Sequence, residues 1–195
     1  MNTRIFTGVI AILLLIVTVS SLSEESMLGL FKKAVDVEVF PEVSGRLTLN
    51  GEPLSNVNIK RGFKYSGVME EIEWDFVSTD ENGKFVFPEL TMSSDHPNKA
   101  FTETRVAQAI MLADNNIPDY EDAYLWSTVS RGIRHISYFS ERLSQLNCEL
   151  SNEAIRHEVI DEEFEDGVVR YTIFSLCRWP ELEQKEIEKR KIYGE

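Results

Sequence analysis

From residue 35 the chain alternates apolar and polar positions in short runs. In VDVEVF, Val35, Val37 and Val39 fall on one face and Asp36 and Glu38 on the other, the two-residue period of a half-buried strand. Pro41 ends regular pairing or places it at an edge. Strands follow near residues 46–49 and 57–61, separated by Asn50-Gly51; both residues tolerate positive φ, which makes this dipeptide a hairpin signal. EIEWDFVSTD sets Ile72, Trp74 and Phe76 against Glu71, Glu73 and Asp75, and GKFVF puts Phe85 and Phe87 together. Residues 104–114 and 122–131 read as longer strands of matched length around a turn at Asn115, Asn116 and Pro118, although Ala107, Ala109 and Ala113 also suit a helix. Residues 136–146 read as a short helix or a loop. The last strands lie in AIRHEVID and VVRYTIFSLCRW. Pro180 then opens a charged helical tail, 180–195, with little to bury, where Glu181/Lys185 and Glu186/Arg190 are i,i+4 pairs. Short strands punctuated by turns predict an all-β fold, an antiparallel β-sandwich over residues 35–179.

Residues 1–26 are different in kind. Arg4 precedes an apolar run, and Ser20, Ser21 and Ser23 follow it, the grammar of a signal peptide. The run 5–22 as a hydrophobic helix is about 27 Å long against a hydrocarbon core of about 30 Å, so an uncleaved membrane anchor is equally open. Either way the remainder is expected to be exported, inner-membrane-anchored and facing the periplasm, or periplasmic after cleavage. Met27 is a candidate alternative start. In an exported chain, two cysteines, Cys148 and Cys177, favour a disulfide closing a long loop, for about 3 kcal/mol in the chain-entropy model; the alternative is two small buried residues that never meet.

Across 195 residues, 43% are hydrophobic and 10% aromatic, a globular composition. The formal charge of −13 argues against nucleic acid and against adsorption to anionic lipid. A membrane is expected as partner only through an uncleaved N-terminal segment.

The stretch GRLTLNGEPLSNVNIKRG…STDENGKFVFPEL resembles a carboxypeptidase regulatory-like domain, the transthyretin-like sandwich of exported bacterial proteins. Gly45, Gly51, Pro53, Leu54, Val57, Thr79, Asp80, Gly83, Phe85 and Phe87 stand at its recurrent positions. The resemblance covers about residues 43–90 and implies a transthyretin-like or immunoglobulin-like fold; its recurrent residues are turn-makers and core residues, and it implies no activity. A ureide hydrolase of that fold ends in Tyr-Arg-Gly-Ser, which IYGE at the C-terminus here does not match. The remainder, with LNCEL and FSLCRW, is similar to an uncharacterised group of bacterial proteins starting MxGLFKK, with no known reaction implied.

Candidate chemistry is sparse. A calcium loop starting at Asp80 needs an oxygen ligand, Gly and Glu where Lys84, Phe85 and Thr91 stand. Asp80, Asn82 and Gly83 instead suit a type I turn followed by a left-handed glycine. The acidic run Glu158, Asp161, Glu162, Glu163, Glu165 and Asp166 reads as a solvated loop, as do Glu70, Glu71, Glu73 and Asp75. His96, His135 and His157 match no short metal motif, and Cys148 paired with His157 competes with the disulfide. Tyr120, Tyr124, Trp126, Phe63 and Tyr65 are candidates for a binding face, with half of them expected in the core. The reading expected from these residues is a non-enzymatic β-sandwich, without cofactor or metal, that binds or supports a protein or envelope component. The alternatives are a periplasmic immunity or inhibitor protein against a toxin, and an enzyme whose site is assembled from scattered Asp, Glu and His.

Overall fold

The computed structural model describes residues 33–113, 117, 120, 123–134, 137–164 and 167–194. Residues 1–26, Met27, His135, Glu165, Asp166 and the turn at Asn115, Asn116 and Pro118 lie outside the described residues.

The fold is mostly antiparallel β-sheet with a C-terminal helix. β1 (Val35–Phe40) pairs with β7 (Leu90–Ser94) in a two-stranded ladder. β2 (Val43–Leu49) is the centre of a second sheet. The short strand β3 (Glu52–Pro53) and β6 (Lys84–Phe87) pair antiparallel to β2, and β10 (Leu146–Glu149) pairs parallel to it. The third and largest sheet is antiparallel throughout, in the order β11-β12-β9-β8-β4-β5. Its strands are β4 (Asn58–Tyr65), β5 (Glu73–Ser78), β8 (Arg105–Leu112), β9 (Tyr124–Arg131), β11 (Ile155–Asp161) and β12 (Val169–Ser175). Alternation puts Ile59, Phe63 and Tyr65 of β4, Val106 and Ile110 of β8 and Tyr171 and Ile173 of β12 into one buried cluster with Val37, Val39, Leu47, Phe85 and Phe87 from the smaller sheets.

Two turns and one disulfide fix the register of the smaller sheet. Asn50 and Gly51 both have positive φ, 53° and 83°, the type I′ geometry that suits strand twist. At the other turn the Asp80 carboxylate accepts the N–H groups of Asn82 and Lys84, each at 2.8 Å, and Gly83 takes φ 73°. Cys148 in β10 is disulfide-bonded to Cys177, just beyond β12, with Cα atoms 4.2 Å apart, which ties the second sheet to the third. Over a separation of 29 residues, this cross-link stabilises by roughly 3–4 kcal/mol in the chain-entropy model.

Glu149, at the end of β10, holds the β2–β3 hairpin from outside. Its carboxylate accepts the N–H groups of Asn50 and Gly51 (2.8 and 2.9 Å) and the hydroxyls of Thr48 and Ser151 (2.9 and 2.7 Å). Burial works against its charge, but these hydrogen bonds, led by those from Ser151, outweigh burial and bring its pKa down to about 2. A carboxyl depressed on folding contributes stability that is complete above its unfolded value near 4.5 and is lost as pH falls towards about 2. The urea midpoint should therefore fall across that acid window, and Glu149→Gln should flatten the slope. An unchanged slope would show that Glu149 does not couple to folding.

The structure changes the expected picture at both remaining helices. Within the segment 136–146, α1 (Ser137–Leu143) is helical and Leu146 already belongs to β10, and Phe139 packs edge-on against Trp126 and Tyr171 at 5.3 and 5.0 Å. α2 (Pro180–Tyr193) is not a tail with little to bury. Leu182 and Glu186 are buried, and the helix packs on β11. Its charges reach across to other elements: Lys185 to Glu141, Arg190 to Glu158, and Glu186 to Arg142. The reason is positional, since β11 is an edge strand whose backbone groups need partners that α2 supplies.

Candidate functional site

Strand β5 borders the site, and its apolar side faces outward. Its acidic side was expected to be solvated, yet Asp75 points inward to Arg61 of β4. The two make a bidentate pair, Nε to Oδ1 at 3.1 Å and Nη2 to Oδ2 at 2.6 Å. Arg61 is 1% exposed, donates to the Pro88 carbonyl at 2.7 Å and lies over the rings of Phe40 and Phe87 (5.1 and 4.7 Å). With a two-residue period, an inward Asp75 forces Trp74 and Phe76 outward. They are 39% and 63% exposed, and Ile72 beside them is exposed as well.

The outer face of the large sheet is shaped by this strand. One row crosses five strands in the order Trp74, Gly62, Ala109, Ser127, Phe174. Small residues fill the middle and aromatics stand at both ends. Trp74 lies directly over Gly62, where an added Cβ would fall 2.4 Å from the indole, so any larger residue must displace the ring. Lys60 sits over the same indole at 5.3 Å. The next row is Lys64, Ala107 and Val129, and the row after it pairs Arg105 with Arg131.

The result is a trough of about 610 Å³ with apolar walls that include Ile72, Tyr124, Val129 and Phe174. Among the described residues its lining includes Lys64, Arg105, Arg131 and Arg170 and no Asp or Glu, in a chain of 33 acidic and 20 basic residues. Glu103, at the basic end, holds Arg105 at 2.6 Å and Arg131 at 3.5 Å. The hydrogen bond from Arg105 lowers the pKa of its carboxyl. Arg170 is held by Glu158 at 3.6 Å and by the Tyr193 carbonyl at 2.6 Å. These contacts orient the guanidinium groups and leave donors for a further anion.

A second polar cluster lies under α2. Arg142 and Glu186, 2% and 5% exposed, pair at 3.3 Å, and the Ile160 N–H donates to the other Glu186 oxygen at 3.1 Å. His157 is buried, its Nδ1 3.3 Å from Glu183 and its Nε2 without a hydrogen-bond partner. Burial lowers its pKa, against the pull of Glu183 and with the help of Arg178 and Arg142. The groups of this cluster engage one another and hold the helix to the sheet.

Of the sequence candidates, Asn50, Gly51, Asp80, Asn82 and Gly83 lie in the two turns, away from the trough lining. Cys148 is consumed by the disulfide, which removes the Cys148–His157 pair. Among the described residues no group of three or more His, Cys, Asp or Glu is placed to hold a metal. Trp126, Phe63 and Tyr65 are in the core and Tyr120 packs partly buried against it, so that only Tyr124 of the five aromatics reaches the outer face. The acidic run that begins within β11 is less solvated than expected: Asp161 is buried and burial raises its pKa, while Glu162 holds Lys189 at 2.8 Å. Arg61 and Arg142 were missed by sequence reasoning. Arg61 carried a signal, since it shares the inward phase of Ile59, Phe63 and Tyr65.

Among known families, the one described as Domain of unknown function (DUF6795) matches residues 43–153. The match covers more than half of the chain, so the chain belongs to that family. No curated protein and no solved structure matches the chain.

Proposed function

We propose that this member of the DUF6795 family is a non-enzymatic binding module, exported or membrane-tethered, that grips a protein or envelope component through the outer face of its large sheet. The observation that carries the reading is the inverted strand β5. A strand that turns Trp74 and Phe76 to solvent and its aspartate to a buried arginine spends apolar surface on something outside the fold. The basic end of the trough adds a polar handle in an otherwise acidic chain. Export draws support from the disulfide, which suits an oxidising compartment, and from the apolar run at residues 5–22. A transthyretin-like sandwich draws support from the shared core between the sheets and from the turn at residues 80–83.

The reading is tested by offering envelope extracts to the full chain and to an Ala109→Trp variant, which fills the trough floor from an outward-facing position. A component retained by the wild type and lost with the variant is the expected result. Identical capture by both removes the trough from the function.

A further inference from the structure

Resting on that reading, the geometry points to the occupant of the trough: an acidic amphipathic helix of a partner protein, lying along β8 with its carboxylates at the Arg105–Arg131–Arg170 end. Three observations carry this. The first is shape. Trp74 and Phe174 stand four strand spacings apart, about 19 Å between backbones, which leaves room for a rod about 10 Å across. From Arg105 to Ala109 the floor runs about 13 Å, the length of roughly nine helical residues. Ala107 and Ala109 form the floor, and small residues there allow a rod to approach the sheet closely.

The second observation is hydrogen bonding. The floor strands β4, β8, β9 and β12 are each paired on both sides, and of the strands around the trough only the bordering β5 ends the sheet, so the floor offers no row of backbone groups for an extended peptide to pair with. A helix satisfies its own backbone and needs only side-chain contacts.

The third is charge. The cations are not spread round the rim. Arg105 and Arg131 pair directly at one end, with Arg170 and Lys64 also in the lining, and Glu103 is shared between two of the arginines. Such an end fits an acidic helix terminus and repels a basic one.

The test is selection of a displayed random 16-residue peptide library on the full chain in detergent, followed by anisotropy titration of the enriched peptides. Enriched sequences should carry apolar residues at i, i+3, i+4 and i+7 with Asp or Glu gathered at one end. They should become helical when bound. Affinity should fall at least tenfold with Ala109→Trp, with Arg131→Glu and with Phe174→Glu, an exposed position whose change spares the core. Enrichment of basic or proline-rich peptides, or of none that depend on these positions, overturns the inference. So does saturable binding of alginate oligomers that Ala109→Trp abolishes, which assigns the trough to a glycan. Self-association abolished by Ala109→Trp assigns it to a second copy. In these last two cases the trough remains the binding surface; that broader reading fails separately, when envelope capture ignores Ala109→Trp.

Discussion

Asp75→Ala should destabilise the chain by about 3 kcal/mol, more than an ordinary surface substitution costs. Among the described residues, the variant leaves the Arg61 guanidinium in the core with the Pro88 carbonyl and two aromatic rings to replace water. Breaking a fully buried pair costs about 3–5 kcal/mol, and the partial exposure of Asp75 places this pair at the lower end. Arg61→Ala should cost a similar amount, through lost packing on Phe40 and Phe87 and an unsatisfied carbonyl. Arg61→Lys should rescue little, because an ammonium cannot reproduce the bidentate fork. Joining Arg61→Met to Asp75→Leu should restore part of the loss, as apolar replacement of buried pairs does. The measurements are urea midpoints and slopes for the four variants. A cost below about 1 kcal/mol for Asp75→Ala would mean that water reaches Arg61 and that the pair does not set the phase of β5. The pair also bears on function, since it keeps Trp74 over Gly62. Asp75→Ala should loosen that ring and shift the tryptophan emission to the red.

The strands were legible in the sequence because their alternation is local. VDVEVF and the Asn50-Gly51 turn need no distant partner to be recognised, and the Asp80 turn encodes its own hydrogen bonds. The site was not legible for the opposite reason. β5 alternates as clearly as any strand, but which of its faces is buried depends on Arg61, fourteen residues earlier in the chain. Nothing in residues 71–79 carries that information. Composition likewise conceals the basic end of the trough, because Arg105, Arg131 and Arg170 are far apart in sequence and are gathered only by the sheet order. The misread tail follows the same logic. The i,i+4 spacing in α2 is genuine, yet its charges find better partners on β11 and α1, where two unpaired edge groups and a buried arginine wait for them.

Glu186→Ala should release α2 from the sheet. Among the described residues of this helix Leu182 is the one apolar side chain that is buried, so hydrophobic burial supplies little of the attachment. The attachment is polar. Glu186 takes Arg142 and the Ile160 N–H, and Lys189 gives to the Ile160 carbonyl at 3.0 Å and to Glu162 at 2.8 Å, while its ammonium lies over Tyr138. Glu186 and Lys189 together occupy both backbone groups of Ile160, as a neighbouring strand would. Removing Glu186 leaves Arg142 buried without its carboxylate and reopens the Ile160 N–H, for a cost of about 3–5 kcal/mol. The helix is peripheral, so much of this should appear as local opening. Hydrogen exchange at Ile160 and tryptic cleavage after Lys185 or Lys189 should accelerate before the global midpoint moves by the full amount. Glu186→Gln keeps an acceptor for Ile160 and should fall between the alanine variant and the wild type. Pairing Glu186→Leu with Arg142→Met should cost less than either change alone, since it removes both charges. If the double variant loses as much as the sum of its parts, the Arg142–Glu186 pair is not the latch, and Lys189 with Glu162 must hold the helix instead.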